Sequence, residues 1–396
     1  MILDVTQDNN AIGSIRIFDI LSETPLVDLT QGNRDILIKI SHGDLHSNDP
    51  TRLPDAIGIQ RLITLASICN SLSFEWDESV AKLVFASPTL FPLLAIALCL
   101  QDVSHSIRPP KGPVINVSTE VERARRALLL NHRLQIDAFA DCQVAVCADS
   151  LGHGTHPDLY NREGILFKSS EMGGLLEDLM INHLASGVEQ SSIYKHREVL
   201  GVILSELFEN TENHAKTDLE GKPIVKNGIR GLIIKRLELD SHIRLPNGKS
   251  TSTVLPYLEL SVFDSGIGFY SSFNRKILDS SVSLDSEWKI MHYCLGRHAD
   301  SAVPDRRPDY RGLGLYEVLR ALMFAKGYLE VRTGRLRAYR SFFENSLPIQ
   351  IESRSSETRP GMPKPVLLDV ARHLFQIPTE HEKLVGSTLR VLIPLK

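Results

Sequence analysis

Apolar residues recur along this chain with two periods. Runs such as SIRIFDIL (14–21) and DILIKIS (35–41) alternate, which predicts half-buried strands; DAIGIQRLITLASICN (55–70) and STEVERARRALLLNHR (118–133) repeat at helical spacing. In the last of these, Thr119 and Glu122 have the spacing of a capping box, and Arg123, Arg125 and Arg126 read as a solvated face. The apolar stretch LVFASPTLFPLLAIALCL (83–100) is interrupted by Ser87, Pro88, Thr89 and Pro92. It divides into a strand ending at Ser87 and a buried helix with Pro88 at its first position, rather than a membrane span.

From about residue 165 the order changes. A helix over MGGLLEDLMINHLA (172–185) precedes a long one through SELFENTENHA (205–215), then strands, a helix and strands again. GLIIKRLELD (231–240) and YLELSVFD (257–264) flank Pro246, Asn247 and Gly248, a hairpin signal that makes the sheet partly antiparallel. The expectation is therefore an N-terminal α/β domain over 1–160, of no assignable role, and a second α/β domain over 165–396. SRSSETRPGMPKP (353–365) reads as an exposed loop.

Bulk properties narrow the partners only slightly. With 396 residues the chain exceeds one comfortable core, and a net charge of −4 gives no reason to expect nucleic acid or an anionic membrane. Five cysteines without framework spacing, and no recognisable leader, set the expectation of reduced thiols in the cytoplasm. Cys142, Cys147, His153 and His156 suggest zinc at first sight. If CQVAVC is a strand, however, its two thiols face opposite sides.

Four segments carry candidate chemistry. On the long helix Glu206, Asn210 and Asn213 fall in one narrow arc beside an apolar stripe of Leu200, Leu204 and Leu207. In VFDSGIGF (262–269), Asp264 shares strand parity with Leu258, Leu260 and Val262, so it points inward; a buried carboxylate needs a donor, and the amine of an adenine is one. Gly266 and Gly268 let backbone pass close to a flat base. In YRGLGLYEVLRALMFAKG (310–327), Arg311, Gly312, Leu313, Gly314 and Leu315 open a helix whose free N–H groups can meet phosphate, with Gly327 as its C-cap. VGSTLRVLIPL (385–395) places Gly386 and Thr388 ahead of an alternating strand.

Taken in this order, ELFENTENHA, DSGIGF, RGLGL and GSTLRVLIPL resemble the asparagine box, adenine box, second glycine box and closing strand of the GHKL ATPase superfamily, which includes gyrase, MutL-type proteins, histidine kinases and anti-sigma-factor kinases. The resemblance implies a Bergerat-type α/β sandwich with a mixed sheet, ATP and Mg2+ as ligands, Asn210 on the metal and Glu206 as the base that activates water. It further implies a lid over about 269–311, carrying Lys289, Arg297, Arg306, Arg307 and Arg311. The stretch at about 336–384 is longer than the family pattern and reads as an insertion.

The implied function is an Mg-dependent ATPase that regulates a protein partner through its nucleotide state, with homodimerisation as one arrangement. A protein kinase of the anti-sigma-factor or histidine-kinase type and a non-catalytic ATP sensor are the alternatives. His196 is the nearest candidate phosphoacceptor, but its flanks do not resemble a histidine-kinase box.

Overall fold

The computed structural model describes residues 13–22, 24–32, 34–41, 55–88, 91–130, 142–184, 190–224, 226–244, 250–296, 314–342, 349–350 and 364–395. The first sheet runs β1 (Gly13–Arg16), β2 (Asp35–Ile40), β3 (Ser71–Asp77), β4 (Val103–Arg108) and β5 (Ile115–Asn116) in sequence order. Its first four strands are parallel and β5 is antiparallel to β4. Parallel neighbours require crossovers. Between β2 and β3 the crossover contains α2 (Asp55–Ile68), which follows the short α1 (Leu26–Thr30); between β3 and β4 it contains α3 (Glu78–Ala86) and α4 (Pro92–Cys99).

Two readings of this half are corrected. SIRIFDIL is a strand only to Arg16 and continues as a 3-10 turn over Ile17–Leu21. AKLVFAS, read as a strand, lies in α3, and the buried helix begins at Pro92 rather than Pro88. Val80, Ala81 and Val84 pack at helical spacing, so tertiary burial overrides the strand preference of a short apolar run. In α5 (Ser118–Leu130), Thr119 lies inside the first turn; Glu122 pairs with Arg125 and Arg126 instead of capping, and Arg125 Nε donates to the Leu98 carbonyl at 2.7 Å.

The second sheet has the order β13-β10-β9-β14-β8-β7-β6. Its strands are β6 (Cys142–Ala148), β7 (Ile229–Arg244), β8 (Ser250–Asp264), β9 (Tyr328–Gly334), β10 (Leu336–Ser341), β13 (Leu368–Asp369) and β14 (Leu384–Pro394); β11 (Ile349–Gln350) and β12 (Lys364–Pro365) pair apart from it. Every neighbouring pair in it is antiparallel, so the mixed sheet expected here belongs to the first half instead. The hairpins β7/β8 and β9/β10, with β14 laid between β8 and β9, produce this without a parallel crossover.

One face of this sheet is covered by α6 (Ser169–Leu179), α7 (Gln190–His214) and α10 (Gly314–Ala325), whose Leu176, Leu204, Leu207, Val318 and Leu322 share a core with Leu260, Val262, Val331 and Val391. α8 (Gly268–Asn274) and α9 (Leu284–Cys294) lie in the segment expected as a lid, yet α9 is docked. Trp288 Nε1 donates to the Phe375 carbonyl at 2.7 Å, and Arg335 Nε donates to Glu287 at 2.9 Å. The stretch 336–384 is accordingly not only a surface loop: β10 and β13 extend the sheet, and the turn around Phe375 holds α9.

The opposite face is filled from the N-terminal half. Ile59, Leu62 and Ile63 of α2 belong to one core with Val144, Val146, Ile229, Ile233 and Phe263. β6 lies before the boundary expected at residue 160 and pairs with β7, so residues 142–148 belong to the C-terminal sheet. Cys142 and Cys147 do fall on opposite faces, in different cores. No helix among the described residues is long and apolar enough to cross a membrane.

Candidate functional site

Strand register assembles the site before any side chain is considered. Arg230 on β7 lies opposite Asp264 on β8, Asp264 opposite Ser387 on β14, and Ser387 opposite Thr333 on β9. These four residues form one polar row across four strands, on the face that carries the helices. The next row inward, Leu232, Val262, Leu389 and Val331, is wholly apolar. Such a polar row at the end of an apolar face can accept a ligand that is flat and partly hydrogen-bonding.

Asp264 is buried and has no arginine or lysine side chain bonded to it among the described residues. Its Oδ1 accepts from the backbone N–H of Gly266 at 2.8 Å and of Ser387 at 3.2 Å. No donor to Oδ2 is found among the described residues, and fixing one oxygen with two backbone donors sets where the other points. Burial pushes the carboxyl up to about 6, against the lowering pull of those two N–H groups and of Arg230. The neighbouring hydroxyls also retain capacity. Thr333 Oγ1 accepts from Phe269 N at 3.1 Å and lies 3.0 Å from Ser387 Oγ, so the pair shares one hydrogen bond and keeps a second proton uncommitted.

The loop after Asp264 is built from glycines for steric reasons. A Cβ on Gly266 would lie 2.6 Å from Ala215 Cα, just beyond the end of α7, and Gly386 has φ +77° with a Cβ that would stand 1.8 Å from the Asp264 carbonyl oxygen. The backbones of α7's end, the 264–268 loop and β14 thus converge around Asp264.

On α7 the arc expected from the sequence forms in part. Asn210 Nδ2 donates to the Glu206 carbonyl at 2.8 Å, which leaves Oδ1 to face away from the helix backbone. A Cβ on Gly314, at the start of α10, would lie 3.0 Å from Glu206 Oε2 and 3.5 Å from Asn210 Nδ2. The second glycine segment and the asparagine segment, a hundred residues apart in the chain, therefore meet. Burial raises Glu206 above the ordinary carboxylate range, reinforced by Glu209 and Glu317. A half-buried carboxylate repelled by two others, beside an amide oxygen, is a setting that a divalent cation relieves.

Other expected positions fall elsewhere. Asn213 is exposed on α7, whereas its neighbour Glu212 is drawn to Tyr160, Lys216 and the buried Arg230. Burial would raise Glu212, but Arg230 leads a set of partners that hold it below its usual range. Leu315 packs into the core. Gly268, with φ +76°, turns the chain beside Thr333. Arg311, Gly312 and Leu313, with Arg297, Arg306 and Arg307, lie outside the described residues; Lys289 is exposed on α9.

Thr388 is the clearest displacement. Its side chain points to the opposite face, where Oγ1 donates to Gln60 Oε1 at 3.1 Å, and Ser387 takes the place facing Asp264. The helix cap is displaced too: Lys326, not Gly327, takes the left-handed conformation at the end of α10. Ser387, Thr333 and Arg230 were not singled out from the sequence. Ser387 stands between the noticed Gly386 and Thr388, and it, not Thr388, shares the parity of Leu389, Val391 and Ile393.

No protein-family model matches the chain, and no curated protein matches it significantly.

Proposed function

We propose that this protein binds ATP with Mg2+ in a Bergerat-type site and hydrolyses it slowly, using nucleotide state to regulate a protein partner. The observation that carries this reading is Asp264: a buried carboxylate with one oxygen tied by two backbone N–H groups and, among the described residues, no cationic side chain bonded to it. A buried structural carboxylate is closed by cations or, as at Asp369, by donors to both oxygens, because an unsatisfied buried charge is costly. One held open at the end of a sheet is positioned for an external donor, and the exocyclic amine of adenine fits.

The remaining parts follow from what each residue offers. Gly266 and Gly268 let the loop pack where a Cβ would clash with Ala215 or crowd Thr333, and would let its backbone approach the face of the ring. Asn210 would hold Mg2+ through Oδ1, its Nδ2 being committed to the helix. Bound there, the ion would offset the charge of the phosphate oxygens. The N-terminus of α10, where Gly314 abuts Glu206 and Asn210, offers N–H groups to the same phosphates. Glu206, with its raised proton affinity, would orient the attacking water and accept its proton.

Titration calorimetry of the full chain with ATP and Mg2+ tests the binding. Phosphate release, compared between wild type and Glu206→Ala, tests the turnover. Absence of binding heat overturns the reading; binding without phosphate release that Glu206→Ala diminishes reduces it to a sensor.

A further inference from the structure

β14 carries an irregularity beside the site. Leu384 lies opposite Gly334 and Ser387 lies opposite Thr333, so Val385 and Gly386 have no partner on β9, and the pairing with β8 begins only at Ser387. The peptide groups of such a bulge lose their ladder bonds and must find others. Those of Val385 find them on α2. Val385 N–H donates to Thr64 Oγ1 at 2.9 Å, and Gln60 Nε2 donates to the Val385 carbonyl at 3.3 Å. Thr64 is held in place by donating its own proton to the Gln60 carbonyl at 2.8 Å, and Gln60 Oε1 accepts from Thr388 at 3.1 Å. Gln60 and Thr64 are both buried. Two residues further along β14, the N–H of Ser387 reaches Asp264 Oδ1.

We infer that Gln60 and Thr64 of the N-terminal half are positioning residues for the Asp264 carboxylate, acting through the bulge at Val385–Gly386. Their side chains replace the missing ladder and fix the bulge. The bulge in turn sets the Ser387 N–H that orients Asp264. By reciprocity, whatever moves α2 changes ligand affinity at Asp264, and ligand at Asp264 changes the freedom of α2. The ligand part of this inference rests on the nucleotide reading; the positioning part does not.

The test uses the full chain with Thr64→Val and Gln60→Leu, each close in volume to the native residue, and Thr64→Ser, which restores the hydroxyl. Leu62→Ala, a core truncation on the same helix, controls for lost stability alone. Three quantities are read: the carboxyl titration of Asp264 by carbon NMR without nucleotide, amide exchange at Val385, and affinity for ATP by calorimetry. In Thr64→Val and Gln60→Leu the Asp264 midpoint is expected to rise, as the Ser387 N–H withdraws. Exchange at Val385 accelerates, and ATP binds about five- to tenfold more weakly, the loss of roughly one hydrogen bond. Thr64→Ser returns all three to wild-type values, and Leu62→Ala lowers the melting temperature without moving the midpoint. An unchanged midpoint in both variants, or a shift of equal size in Leu62→Ala, overturns the inference. A shifted midpoint in a protein that binds no ATP supports the positioning and removes the nucleotide reading.

Discussion

Two buried carboxylates on opposite faces of the seven-stranded sheet are handled in opposite ways. On the face toward α2, Glu259 is 1% exposed and fully engaged, with Arg390 Nη2 and Ser261 Oγ each at 2.9 Å. Burial would raise its carboxyl, but Arg390, Lys235 and Ser261 outweigh that and hold it below the ordinary range. On the helix-bearing face of the same strand, Asp264 is 8% exposed, has backbone N–H groups as its only donors among the described residues, and is pushed up to about 6. Burial alone does not distinguish these two carboxylates. Residual bonding capacity does: Glu259 is closed and Asp264 is open.

The comparison breaks first on stability. Glu259→Gln leaves the half-buried Arg390 with only the more distant Glu330, at 3.8 Å, and is expected to destabilise the protein by about 3 kcal/mol in chemical denaturation. Asp264→Asn is expected to act in the other direction. Its amide oxygen can accept the same two N–H groups, and removing a charge whose pKa is raised from 3.8 to about 6 stabilises the ligand-free protein at neutral pH. The gain is on the order of 3 kcal/mol at about 1.4 kcal/mol per pH unit. If both variants lose stability alike, the distinction between the two carboxylates fails.

Next in size is ligand affinity. Asp264→Asn can present its amide nitrogen to the adenine amine, donor against donor, and should weaken ATP binding by about ten- to a hundredfold in calorimetry. Glu259→Gln, assayed below its melting temperature, should leave that affinity unchanged.

The pH profiles then sharpen the contrast. Because the native pKa of Asp264 exceeds its unfolded value, the folded protein holds the extra proton between about 4 and 6. Its contribution therefore increases stability as pH falls through that window. Glu259 has a lowered native pKa, so its contribution is present above its ordinary value of 4.5 and is lost as pH falls through the native one. Subtracting the Asp264→Asn stability profile from that of wild type isolates the first; a flat difference from pH 4 to 7 would remove the raised pKa. The smallest effect is at Thr388, where Thr388→Val breaks the bond to Gln60 and should cost about 1 kcal/mol by thermal denaturation.

Much of the front face was legible in the sequence, and the back was not. Helical spacing placed Glu206 and Asn210 together, and strand parity turned Asp264 inward with Leu260 and Val262, because both periods are local properties of uninterrupted elements. Thr388 rests on the resemblance rather than on parity: Ser387, not Thr388, shares the parity of Leu389, Val391 and Ile393, and the bulge at Val385 and Gly386 interrupts the ladder just before it. Asn213 shows the limit of an angular argument: it shares the arc of Asn210 yet is exposed near the end of α7. Gln60 and Thr64 carried no signal at all. They are polar residues in an apolar helix, and only the long-range approach of β14 explains their presence.

The shared core also dictates how the gene can be divided. Cutting the chain after residue 160 would strip the β7 edge of its partner strand β6, and cutting before Cys142 would still leave Ile229, Ile233 and Phe263 bare where Ile59, Leu62 and Ile63 had packed. A truncation beginning near 165, the natural choice for expressing the half that carries the candidate site, should therefore be sticky and poorly soluble, whereas the two pieces produced together should find each other and restore the assembly.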